Sequence, residues 1–189
     1  MKNQMTFSQY RTIDLGLFAL MFAIFEFIIV KVSTGGIFWD QSYTVSLAAA
    51  ICSIVYMRWG YWGGIHAALA GFLFALYYGG RLDQFLIYTI GNLFSLAAVA
   101  VLLKKGKEEV RTGRYSYLLF PLAVILLMQL GRAVVFVLLG GSPGGATGFF
   151  TTDALSTLFT LVIVWIAKRL DGIYEDQKHY LLRIQEEKE

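Results

Sequence analysis

Cysteine is nearly absent. Cys52 stands alone in 189 residues, inside an apolar run, which excludes an intrachain disulfide and leaves it as a small buried hydrophobe. Histidine is as scarce, with two residues, and no Cys/His cluster occurs at metal-ligand spacing, so neither a metal nor another cofactor is expected. Catalytic signatures are missing too. There is no Gly-x-Ser-x-Gly, no His-Glu-x-x-His, no pair of carboxylates in one helix register and no Walker-type phosphate loop, which argues against an enzyme and against ATP hydrolysis by this chain. No nucleic-acid motif is present, and the net charge of +3 has a different reading, because basic residues beside membrane helices set orientation.

Charge is the scarcest property of all. Only 15% of residues are charged, 57% are hydrophobic and the mean hydropathy is positive, which is the composition of an integral membrane protein. A bilayer-spanning helix needs about 20 apolar residues, and such runs fill nearly the whole sequence. The expected fold is an all-α bundle of six transmembrane helices over residues 1–170, followed by a polar tail, 171–189, with a short cytoplasmic helix. The first span runs from about Ile13 to Lys31, retained because no small-residue cleavage site follows it. The others run from Tyr43 to Met57, from the Arg58-Trp59-Gly60 turn to Tyr78, from the 79–83 turn to Lys104, from Tyr115 to Leu139 and from Thr152 to Ala167.

Lys2, Arg11, Arg58, the 104–114 linker and Lys168-Arg169 all fall on one side of these spans, against Lys31 and Arg81 on the other. By the positive-inside rule both termini are cytoplasmic and the loops 32–42, 79–83 and 140–151 face outward. In the third span Gly60, Gly64 and Ala68, and likewise Ala67 and Gly71, recur four apart, a spacing that lets helix backbones approach. His66 among them reads as a hydrogen-bonded packing residue, since no partner motif accompanies it.

The polar side chains inside the spans gather in the outward half. Tyr88, Asn92 and Ser95 share a face of the fourth helix, Gln129 and Arg132 a face of the fifth, and Asp153, Ser156, Thr157 and Thr160 a stripe on the sixth. An arginine within an apolar span costs roughly 2.5 to 3.5 kcal/mol on insertion scales, so Arg132 must be paired or contact a ligand. Glu26 lies at similar depth on the first helix, and a Glu26–Arg132 ion pair is the structural alternative to ligand contact. Asp153 is either a helix N-cap or part of the same site. Trp39, next to Asp40 in the first outer loop, is either a lid residue or a member of the interfacial aromatic belt formed with Tyr77, Tyr78, Phe149 and Phe150. Fixed polar groups among aromatics suit a small, partly planar ligand, anionic or carbonyl-bearing.

Length, topology, this polar pocket and the long first outer loop resemble the substrate-binding S components of energy-coupling factor (ECF) vitamin transporters. On the first helix, Ala19-Leu20-Met21-Phe22-Ala23 is similar to that family's AxxxA motif, in the inner half of the span. The resemblance implies a bacterial plasma-membrane protein that captures a water-soluble vitamin or precursor outside the cell. It also implies a transmembrane coupling subunit and two cytoplasmic ATPases as partners. In that reading Ala19 and Ala23 form the docking surface, Trp39 belongs to the lid, and Tyr88, Asn92, Gln129, Arg132 and Asp153 line the pocket. The competing expectation is a self-sufficient ion-coupled carrier using Glu26, His66 and Asp153 as a relay, although no inverted repeat or interrupted helix pair accompanies it.

Overall fold

The computed structural model describes residues 6–37, 43–170 and 172–175, and every regular element among them is helical. The first helix, α1 (Phe7–Val32), starts earlier than the expected Ile13. Its start is fixed by a capping box, in which the Gln9 N–H donates to the Thr6 hydroxyl at 3.3 Å and the Thr6 N–H donates to Gln9 Oε1 at 2.8 Å. A π turn, Ser33–Ile37, ends it.

α2 (Ala48–Trp59) and α3 (Gly63–Tyr77) follow, joined by a 3₁₀ turn at Gly60–Trp62, where Gly60 takes φ +60°. α4 (Leu82–Leu93) continues through a 3₁₀ segment, Phe94–Ala98, into α5 (Val99–Lys105). The charged linker holds a short helix, α6 (Lys107–Thr112), and α7 (Ser116–Leu138) then runs through Pro121. Two single-turn helices, α8 (Pro143–Ala146) and α9 (Gly148–Thr151), occupy the glycine-rich loop before α10 (Ala154–Ala167).

Among the described residues four segments are long and apolar enough to cross a membrane: Phe7–Gly36, Leu82–Lys105, Ser116–Leu138 and Pro143–Ala167. α2 and α3, with 12 and 15 residues, are shorter than the roughly 20 residues of a typical span. α2 is instead the central element, buried on nearly every side, as expected of a helix apolar all round. It begins at Ala48 and not at Tyr43, because residues 44–46 form no helix and bond to other segments.

Small residues set the closest helix contacts. A Cβ added at Gly71 would overlap the Tyr88 carbonyl, and one at Gly64 would meet Leu96 Cδ2 at 2.9 Å, so α3 lies against the α4 segment along Gly64, Ala67 and Gly71. Gly60, grouped with them by spacing, has nothing within 4 Å of such a Cβ. At the α4–α7 crossing, Gly91 abuts the Arg132 backbone and Gly131 abuts the Gly91 carbonyl. α1 is peripheral: it buries the stripe Phe22, Glu26 and Val30 and leaves Leu17, Leu20, Met21, Ile24 and Ile28 exposed.

Candidate functional site

Arg132 is the centre of the site. Its side chain is 5% exposed and Nη1 donates to Asp153 Oδ2 at 2.5 Å, while Nε donates to Asn92 Oδ1 at 2.8 Å. The glycine contact at Gly91 brings α4 close enough for this second bond. Aromatic rings cover the guanidinium: Cζ lies 5.0 Å from the Tyr88 ring centroid and 6.0 Å from that of Phe74. Phe149 meets Tyr88 edge-on at 6.1 Å, and Phe136 packs against Phe149 in turn. A charge-assisted pair in so dry a setting is held by fixed geometry on three helices and a loop.

The Glu26–Arg132 ion pair, the structural alternative to ligand contact, does not form among the described residues. The Glu26 carboxylate, fully buried, accepts from the Ser46 hydroxyl at 2.6 Å and from the Leu47 N–H at 2.7 Å, so it caps α2 from the neighbouring helix. The reason is local supply: the Leu47 N–H at the head of α2 takes one Glu26 oxygen, the Ala48 N–H goes to Ser46 Oγ at 3.0 Å, and Arg132 pairs with Asp153 instead. Asp153, in turn, is not a side-chain N-cap of α10. Its second oxygen accepts from the Thr44 hydroxyl at 2.5 Å.

Residues 44–47 therefore wire the two carboxylates together. The Thr44 N–H donates to the Thr152 carbonyl at 3.0 Å, the Ser156 hydroxyl to the Thr44 carbonyl at 2.8 Å, and the Ser46 N–H to Ser156 Oγ at 3.1 Å. Deeper in the bundle, Tyr56 bonds Ser95 at 2.7 Å, and Ser95 donates to the Asn92 carbonyl at 2.6 Å. The Asn92 side chain is thus anchored at both its backbone and its oxygen.

Of the residues singled out from sequence, Tyr88, Asn92, Arg132 and Asp153 come together here. Gln129 is buried one turn away from Arg132 on the same helix, outside this set of bonds. Trp39 lies outside the described residues. Ala19 and Ala23 are half-buried; Ala23 packs on the core and its carbonyl accepts from the Tyr77 hydroxyl at 3.1 Å. His66 bonds the Leu15 carbonyl at 3.0 Å, as a packing histidine does. Thr44, Ser46 and Phe74 were not singled out from the sequence. Threonine and serine just before a buried helix were the available signal.

A second polar cluster closes the end of the bundle where α1 begins. Arg58 grips Asp14 with two bonds of 2.7 Å and donates to the carbonyls of Gly172 and Ile173, while Trp59 Nε1 donates to Asp14 Oδ2 at 2.5 Å. Lys107 bonds the Arg58 carbonyl, and Arg111 pairs with Glu108 and Glu175. Partial burial disfavours the Arg111 charge, but its two carboxylate partners outweigh that and raise its pKa further. This cluster ties α1, α2, α6 and the 172–175 turn together, a structural role.

Compared with known proteins, the chain matches no family model, no curated sequence and no solved structure. What the described residues define is a helical, membrane-embedded protein with a buried, charge-paired polar site among aromatic rings.

Proposed function

We propose that this chain is a non-enzymatic solute-binding membrane protein, and more specifically the S component of an ECF-type vitamin transporter. The observation that carries the reading is the Asn92–Arg132–Asp153 set. A desolvated guanidinium held by three segments, roofed by Tyr88 and Phe74, is a fixed polar group within an apolar protein. In this proposal α2 and α3 complete six spans, both termini are cytoplasmic in a bacterial plasma membrane, and the site opens outward. A vitamin-like solute binds there. A transmembrane coupling subunit, docked along the Ala19–Ala23 side of α1, and two ATPases drive its release. The broad exposed apolar face of α1 supports a helix available to lipid or to such a partner.

The ion-coupled carrier receives less support. Glu26 is engaged with Ser46 and Leu47 and Asp153 with Arg132 and Thr44, while His66 bonds Leu15, so among the described residues no direct hydrogen bond joins any two of the three groups. Reconstitution tests the choice. The purified chain alone in liposomes should bind solute without accumulating it under an ion gradient, and gradient-driven accumulation by the chain alone would refute the proposal.

A further inference from the structure

The hydrogen-bonding of the Arg132 site defines which ligands it takes. Resting on the solute-binding reading above, we infer that the ligand is uncharged and presents carbonyl acceptors, as a cyclic amide or imide does, and that it is not a carboxylate or phosphate.

The first step is charge. Arg132 brings one positive charge and Asp153, at 2.5 Å, one negative charge, so the pair sums to zero. Glu26, linked to the same segment through Ser46, adds no positive charge. The remaining cations at this end, Lys31 and Arg81, are exposed, and Arg81 pairs with Asp83 at 3.5 Å. An anionic ligand would therefore bring an uncompensated charge into a desolvated site, the arrangement that low dielectric penalises most.

The second step is the sense of the hydrogen bonds. A guanidinium only donates, so the Asn92 amide must turn its oxygen towards Nε, which directs Nδ2 elsewhere. Asn92 is fully buried, yet Nδ2 has no hydrogen-bond partner among the described residues. Buried amide groups are nearly always satisfied, and one left over in a polar cluster needs an acceptor. Both Asp153 oxygens already accept a bond. Asn92 Nδ2 is thus a buried donor without a partner on a residue already bonded to Arg132, and the Tyr78 hydroxyl, also without a partner among the described residues and packed on Phe74, can donate as well as accept. Carbonyl oxygens match them, and an uncharged ligand leaves the Arg132–Asp153 pair intact.

Matched probes test this directly on the full-length protein in detergent: benzamide and sodium benzoate share a ring and differ in charge. Binding is measured by saturation-transfer NMR and by thermal shift. The wild-type protein should favour benzamide by about tenfold or more, because benzoate would bring an uncompensated charge into a desolvated site whose own Arg132–Asp153 charges already cancel. Asp153→Asn leaves Arg132 unpaired and should reverse the preference. Asn92→Asp keeps an oxygen for Arg132 Nε, removes the spare donors and should weaken benzamide about tenfold. If either variant fails to fold, the wild-type ratio alone decides. Tighter binding of benzoate by the wild type overturns this inference and leaves a solute-binding protein. Binding of neither probe overturns the inference and the solute-binding reading together.

Discussion

Thr44 and Arg132 hold opposite oxygens of one carboxylate: the Thr44 hydroxyl donates to Asp153 Oδ1 and Arg132 Nη1 to Oδ2, each at 2.5 Å. The segment that leads into α2 and the guanidinium of α7 are thereby fixed to the start of α10. Thr44→Val keeps the shape and removes the donor. It should lower stability by about 1 kcal/mol, the net worth of one such bond, measured by chemical denaturation in detergent.

Asp153→Ala removes one partner of a buried ion pair and should cost about 3 to 5 kcal/mol, since it strands the Arg132 charge. Replacing both residues, Arg132→Met with Asp153→Leu, should recover much of that loss. Thermal unfolding of Arg132→Met, Asp153→Leu and the double variant forms the cycle; strictly additive losses would mean that the pair is not coupled.

A Glu26–Arg132 pair was one of two readings of the arginine, and sequence depth alone made it reasonable: the two residues sit at similar distances from their helix ends. Depth along a helix says nothing about which helices are neighbours. The polar faces were legible because helical spacing places Tyr88 with Asn92 whatever the packing. The partners were not, because Thr44 and Ser46 were counted within a helix when they lie in the non-helical segment before it. Asp14 and Arg58 were missed for a related reason. Each reads as an interfacial charge, and only tertiary packing brings them to 2.7 Å.

The capping role gives Glu26 a distinct signature. Glu26→Gln retains an oxygen for the Leu47 N–H or the Ser46 hydroxyl and should be mild, whereas Glu26→Ala leaves both donors without an acceptor. A cost of about 1 to 3 kcal/mol is expected for the alanine variant, read by denaturation. An ion-pair role would make both substitutions comparably severe.

Asp14→Asn removes the charge that holds Arg58 and Trp59, and with it the anchor of the 172–175 turn. Faster tryptic cleavage at Lys168 and Arg169 is expected, with the solute site unaffected because it lies at the other end of the bundle. Arg58→Lys should behave similarly, since an ammonium cannot reproduce a bidentate grip.

Ala19→Trp and Ala23→Trp address the proposed partner. Bulk at Ala19 should abolish uptake in cells while ligand binding to the purified protein persists. Ala23 also packs on the core, so its variant should lose some stability as well. Uptake that survives at Ala19 would remove the docking assignment.

The central claim is that the Asn92–Arg132–Asp153 site holds a small solute. The most direct measurement is mass spectrometry of compounds that co-purify with the protein from cells grown in rich medium, for the wild type and for Asn92→Asp. The account predicts a stoichiometric, uncharged, carbonyl-bearing compound with the wild type and its loss from the variant. A wild-type protein that is folded, empty and unresponsive to a vitamin panel would contradict it.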